Sequence, residues 1–214
     1  MDTRLLILDF DGTLADTRPL IVSSIQRTLA ELGLPQKSEA ECAAIIGLPL
    51  RVCFTTLLGV DDAMGERCAD VYRRLFDEWN TPGAVRLYPH VMDTIVELHR
   101  RGLQLAICSS RGRPTLQGYV DDLGLRPYVG MVVSANDVQR AKPHPEPVQL
   151  ILTTLAVRPE ETLVVGDASY DILMGRSADC RTCGVTYGNQ SAADLCAAGA
   201  DSLIDDFADL LSLV

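Results

Sequence analysis

The chain has 214 residues, 47% hydrophobic and 22% charged, and carries a formal net charge of −10 at pH 7. That balance suits a globular protein with a sizeable core, built as one domain or one plus an insert. It speaks against a nucleic-acid binder, because arginines cluster no further than short groups such as Arg100-Arg101 and Arg111/Arg113 and no basic stripe forms. No apolar stretch approaches membrane-spanning length. LLIL begins after a single arginine and is followed at once by Asp9 and Asp11, which leaves no signal-peptide pattern. Seven cysteines, an odd number scattered along the chain, fit reduced thiols. The expected location is therefore the cytoplasm, with no membrane or nucleic-acid partner. An acidic protein also repels phosphate, so a phosphate-handling site would need a cation to reverse the local field.

In chain order, the first element is a buried strand, LLIL (5–8). Residues 17–80 then carry about four helical patterns and no convincing strand. Ser38-Glu39-Ala40-Glu41 is a capping box at one helix start. Pro49 suits the first turn of the next helix. Asp61 or Asp62 caps a long helix through Trp79. Hinges are expected near residues 15–18 and 81–88. Val91, Ile95 and Leu98 mark one stripe of a helix that Gly102 ends. Strands follow at LQLAI (103–107) and MVV (131–133). Pro145 opens a helix with Val148, Ile151, Leu152 and Leu155 on one face. TLVV (162–165), CGVTY (183–187) and the weaker SLI (202–204) complete the set. The apolar runs do not alternate cleanly, as expected of parallel strands covered on both faces. Strands alternating with helices predict an α/β fold with a doubly wound, mainly parallel sheet. The expected organisation is a core from residues 1–15 and 84–214 and a small α-helical insert over 16–83.

In such sheets ligands bind beyond the carboxyl ends of the strands. LLIL delivers Asp9 and Asp11 there. LQLAIC delivers Ser109, Ser110 and Arg111. TLVVG delivers Asp167 and, four residues on, Asp171. Lys142 lies in RAKPHPEP between the third and fourth runs. Packing Asp9, Asp11 and Asp167 together is costly without a cation, and an all-oxygen ligand set favours Mg²⁺. Asp9 is a plausible nucleophile for an aspartyl-phosphate. Asp11 can protonate the leaving oxygen and later deprotonate the attacking water. Ser109 can donate a hydrogen bond to a phosphoryl group, and Lys142 can place a positive charge beside it.

These four stretches, DFDGTLADT, ICSS, AKPHPEP and VVGDASYD, resemble the four motifs of the haloacid dehalogenase superfamily, in the family's order, over residues 9–171. The resemblance implies a Rossmann-like core with a helical cap inserted after the first strand. It also implies Mg²⁺ held by the Asp9 and Asp167 side chains and the Asp11 carbonyl. Asp171 is then an outer or water-mediated ligand, and the alternative for it is an N-cap at a helix near Ile172. The family's Lys-Pro bond is often cis, so Lys142–Pro143 is expected to be cis. Branches that act on carbon–halogen or phosphonate bonds lack an aspartate at the position of Asp11, which favours phosphoester hydrolysis. Mutases of the β-phosphoglucomutase type usually carry a histidine where this chain has Ile21. IIGLPLR (45–51) resembles a cap loop of phosphoglycolate phosphatase-like members, which adds Gly47 and Arg51 to Gly12, Ser110 and Arg111 as candidate substrate-binding residues. Ser110 and Arg111 depart from the Asn and Lys common there. His90 and Asp179 stand where glycine is common.

The expected activity is thus a Mg²⁺-dependent phosphatase acting on a small phosphorylated metabolite, phosphoglycolate-like or a sugar phosphate. Pyrophosphatase and nucleotidase are the alternatives within the family. A phospho-accepting signalling module or a non-catalytic binding protein are the alternatives outside it. A monomer or weak homodimer is expected. Cys180-x-x-Cys183 reads as structural, since no second pair accompanies it.

Overall fold

The computed structural model describes residues 3–214. β1 (Leu5–Leu8) is fully buried and forms the middle of the sheet. The chain then forms β2 (Ala15–Asp16) and four helices: α1 (Arg18–Glu31), α2 (Glu39–Ala43), α3 (Leu50–Leu58) and α4 (Asp62–Trp79). It returns through β3 (Arg86–Leu87) to α5 (Val91–Arg100), β4 (Gln104–Cys108), α6 (Arg113–Asp122), β5 (Met131–Val133) and α7 (Glu146–Leu155). β6 (Thr162–Gly166), α8 (Ser169–Ser177), β7 (Arg181–Val185), α9 (Ala192–Ala197) and β8 (Ser202–Ile204) complete it. The six-stranded sheet has the order β5-β4-β1-β6-β7-β8, and every neighbouring pair is parallel. No helix of the described residues is long and apolar enough to cross a membrane.

Side chains of a strand alternate between faces, and here both faces are covered. Leu5 and Ile7 join the cluster that holds Val148, Ile151 and Met174 of α7 and α8. Leu6 and Leu8 join the larger cluster with Ile95 of α5 and Leu116 of α6. Two buried faces explain why the strands read as apolar runs rather than alternations. Strand order reverses about β1, so the chain winds outward in both directions from it.

The helical insert is stabilised by local signals that the sequence announces. Ser38 and Glu41 form the capping box, with the Ser38 backbone N–H donating to Glu41 Oε2 at 2.9 Å. Asp61 caps α4 by accepting from the Met64 N–H at 2.9 Å. Pro49 precedes α3 as its N-cap rather than sitting in its first turn. Within the insert Phe54 meets Tyr72 edge to face at 6.1 Å and Tyr72 stacks on Phe76 at 5.6 Å between ring centroids. The expected hinges are more ordered than a flexible link. β2 and β3 pair antiparallel, Ala15 opposite Leu87 and Asp16 opposite Arg86. Two-residue strands carry no readable period, which is why they escape a pattern search. β7 begins two residues before the expected CGVTY, because Arg181 and Thr182 already pair with Leu163 and Val164. The positions that departed from glycine take left-handed backbone all the same, His90 at φ 61° and Asp179 at φ 58°. Lys142–Pro143 is cis, as expected.

Phe10 lies between the two leading aspartates and is fully buried, its ring stacked on Tyr119 at 5.6 Å. Phe10→Ala should cost about 3–5 kcal/mol through the cavity it leaves. Thermal denaturation followed by circular dichroism should show a fall in Tm of about 10 °C for a chain of this size.

Candidate active site

The switch point of the sheet lies between β1 and its neighbours, and the register aligns their ends there. Leu8 is level with Ile107 of β4 and Val165 of β6. Asp9 lies one residue past that level, and Ser109 and Asp167 lie two residues past it on the flanking strands, so all three gather at the same sheet edge. The Asp9 N–H continues the ladder to the Val165 carbonyl at 2.9 Å, and the Ser109 N–H does the same to Val133 at 3.0 Å. Lys142 reaches in from the segment before α7. Its Nζ donates to Asp9 Oδ1 at 2.5 Å and to Asp171 Oδ1 at 2.6 Å. Asp9, Asp167 and Asp171 each bring a carboxylate oxygen within 4.8 Å of the others, and all three are buried.

Asp171 is the third residue of α8, whose N-cap is Ala168. The N-cap reading for Asp171 is thereby corrected: its Oδ2 accepts from the Ala168 N–H at 3.2 Å, while its Oδ1 faces Lys142. A carboxylate in the first turn still meets the helix dipole favourably, but the orphan N–H is reached from inside the helix.

Burial dominates the electrostatics. Burial, aided by Asp171, Asp167 and Asp11, holds the Asp9 carboxyl well above its ordinary range although Lys142 opposes it. Burial and Asp171 push Asp167 up to about 7, against hydrogen bonds from Asn189 and Thr13. Burial also raises Asp11, but the charge and hydrogen bonds of Arg111, with Thr17 and Ser109, outweigh it and hold this carboxyl low. Arg111 is buried on Asp11, donating through Nε to Oδ2 at 3.2 Å and through Nη2 to Oδ1. Its guanidinium also lies over the rings of Phe76 and Tyr119, 4.9 and 5.1 Å from their centroids. Ser109 Oγ donates to Asp11 Oδ2 at 3.3 Å.

A cavity of about 580 Å³ opens over Asp9 and Asp11, walled by both the core and the insert. Gly47, Arg51, Ser109, Ser110 and Arg111 line it. Ser110 Oγ ties the two parts together, donating to the Gly47 carbonyl at 2.6 Å. Arg51 lines the cavity from the insert side and is ion-paired to Asp62. Gly12 does not line the cavity. It has φ +93°, and a Cβ there would lie 2.3 Å from both Asp167 Oδ2 and Asn189 Nδ2. Cys108, Cys180 and Cys183 are buried free thiols, in keeping with structural roles.

Asn189 is the residue that pattern reasoning missed. It follows β7 by four positions, and the rule that strand ends carry the site would have flagged YGNQ. Its backbone N–H and Nδ2 both donate to Asp167 Oδ2, at 2.7 and 2.8 Å. Its Oδ1 is buried without a partner. Lys142 bonds Asp9 and Asp171, and among the described residues Asp167 has only the neutral donors Asn189 and Thr13. The all-oxygen donors and the orphaned oxygen beside them fit a hard, hydrated cation such as Mg²⁺.

An acidic pocket at the switch point of a parallel sheet, beneath helices inserted after the first strand, places the protein among capped hydrolases built on a doubly wound fold. It belongs to the haloacid dehalogenase-like hydrolase family, whose model matches residues 6–185. A pyrophosphatase PpaX of Anoxybacillus flavithermus is 33% identical over 214 residues, spanning 100% of this chain and 98% of that protein. A phosphoglycolate phosphatase of Salmonella typhi is 32% identical, covering 95% of this chain and 89% of that protein. The crystal structure of a haloacid dehalogenase-like hydrolase from Bacteroides fragilis superposes with a TM-score of 0.93. Its identity is 26%, over 98% of this chain and 100% of that one.

The raised Asp167 carboxyl has a measurable sign in the metal-free protein. Between its usual 3.8 and about 7 the folded chain keeps a proton that the unfolded chain has lost. Its contribution therefore falls as pH rises through that window, by on the order of a few kcal/mol. Tm measured against pH in chelator should decline less steeply between about pH 4 and 7 in Asp167→Asn than in the wild type.

Proposed function

We propose that the protein is a Mg²⁺-dependent phosphatase of small phosphorylated metabolites that works through a phosphorylated Asp9. The observation that carries the reading is the pair Asp9 and Asp11 lining a cavity walled by core and insert, with Lys142 buried against Asp9. Asp9 and Asp167 would hold Mg²⁺ with the Asp11 carbonyl, and Asp171 would stand behind them. The ion supplies positive charge that lets an anionic phosphoryl group approach a carboxylate. Asp9 attacks phosphorus, and the bond from phosphorus to the ester oxygen breaks. Asp11 gives its proton to that oxygen. It then takes a proton from the water that attacks the phosphoaspartate, releasing phosphate and restoring Asp9. Ser109 and Lys142 stabilise the phosphoryl oxygens. Arg111 keeps Asp11 ionised in the substrate-free chain, so an incoming anion must draw the guanidinium away and Asp11 must take up a proton from solvent before it can act as an acid. The insert acts as the cap that excludes water and selects the substrate.

The substrate favoured is an organic phosphoester. Ile21, Ile46, Leu48, Leu50 and Phe76 give the cavity apolar walls that an inorganic diphosphate would leave unused. Pyrophosphate is the second reading, supported by the relatives named PpaX at 33% identity. A panel with and without Mg²⁺, holding phosphoglycolate, sugar phosphates, nucleotides and pyrophosphate, separates the two. Organic monoesters should be hydrolysed faster, and the reverse ranking would favour the pyrophosphatase reading. Asp9→Asn should lower kcat on the best substrate by roughly a thousandfold or more, with an unchanged circular dichroism spectrum. Near-normal turnover by that variant would remove Asp9 as the nucleophile.

A further inference from the structure

The loop after β7 does work that hydrolysis alone does not call for. It crosses the end of the sheet and closes on one side of Asp167. Asn189 commits two donors to a single oxygen, Oδ2, at 2.7 and 2.8 Å. Thr13 Oγ1 donates to the other oxygen, Oδ1, at 3.2 Å, and the Thr13 carbonyl accepts from the Tyr187 hydroxyl at 2.8 Å. The approach is close enough to require glycine on both sides. A Cβ at Gly188 would lie 2.3 Å from Asp167 Cβ, and one at Gly12 would meet Asp167 Oδ2 and Asn189 Nδ2 at 2.3 Å each. The loop and the first motif therefore form a clamp around one carboxylate.

A carboxylate among two others, free to rotate, would turn its oxygens away from its neighbours. Two donors on Oδ2 oppose that rotation and leave Oδ1, with a single weaker donor, the capacity to bind a cation. Mg²⁺ tolerates little departure from octahedral geometry, so a ligand held at one rotation binds it better than a swinging one. Hydrogen-bond partners of metal ligands typically change metal affinity by 10- to 100-fold. We infer that Asn189 is a positioning residue that sets the Mg²⁺ affinity of the site by fixing the rotation of Asp167. The inference rests on the proposed Mg²⁺ dependence, and it assigns a role to a loop outside the four motifs.

The test is titration calorimetry of Mg²⁺ into the metal-free full-length protein, with Tm measured in chelator. Asn189→Ala should weaken the Mg²⁺ Kd by about tenfold or more and shrink the Mg²⁺-induced rise in Tm. Asn189→Leu keeps the side-chain bulk and the backbone N–H donor, loses the Nδ2 donor and should weaken Kd to a similar degree. It also serves if the alanine variant folds poorly. A Kd equal to the wild type in the folded variant, with only the metal-free Tm lowered, would overturn the role of Asn189 and leave the Mg²⁺ site standing. The control is Asp167→Ala, in which binding should be lost. Absence of Mg²⁺ binding by the wild type would overturn both the proposed metal dependence and this role.

Discussion

The rest of the structure depends on one electrostatic constraint: four carboxylates held away from water with two cations between them. Asp9, Asp11, Asp167 and Asp171 are all buried, and Lys142 and Arg111 are the basic groups that reach them. The two cations divide the four acids into two sets. Lys142 bridges Asp9 and Asp171, and Arg111 takes Asp11. That division separates the two leading aspartates chemically although they are two residues apart. Burial drives Asp9 toward its neutral form, and the guanidinium holds Asp11 in its charged form. Asp9, Asp167 and Asp171 form a cluster that could hold a divalent ion in a protein whose overall charge repels phosphate.

Core and insert are joined through the same residues that touch the acids. Arg111 contacts Asp11 on one side and the Phe76 ring of the insert on the other. Ser110, its neighbour, bonds the Gly47 carbonyl in the loop before α3. The β2–β3 ribbon at the base carries both connections between the two parts. Movement of the insert therefore cannot leave Arg111 undisturbed, and movement of Arg111 changes the protonation that Asp11 favours. In the proposed reaction this shared side chain would couple substrate admission to proton transfer.

The legible parts were those with a period or a cap. LLIL, MVV and SLI match their strands residue for residue, because a parallel strand buried on two faces leaves an uninterrupted apolar run. Ser38 and Asp61 mark their helix starts, because a cap is a local hydrogen bond between residues three apart. The two-residue strands of the ribbon are too short to show a pattern. Asn189 lies 22 residues from Asp167, and a polar residue in a loop carries no period. The place of Asp171 within α8 turned on a boundary, and helix boundaries are the least definite feature of a pattern.

By itself the sequence determined which acids and bases stand at the strand ends. All but Lys142, which lies on the connection before α7, follow their apolar runs within a few residues, and a buried parallel strand can present that tail at only one edge of the sheet. It determined the doubly wound core and the presence of a helical insert for the same reason. The tertiary structure decided the pairing: Arg111 with Asp11, Lys142 shared between Asp9 and Asp171, and Asn189 clamped on Asp167. Those contacts join residues 22 to 133 positions apart. No local rule reaches that far, and only the packing of both sheet faces and the insert brings the partners together.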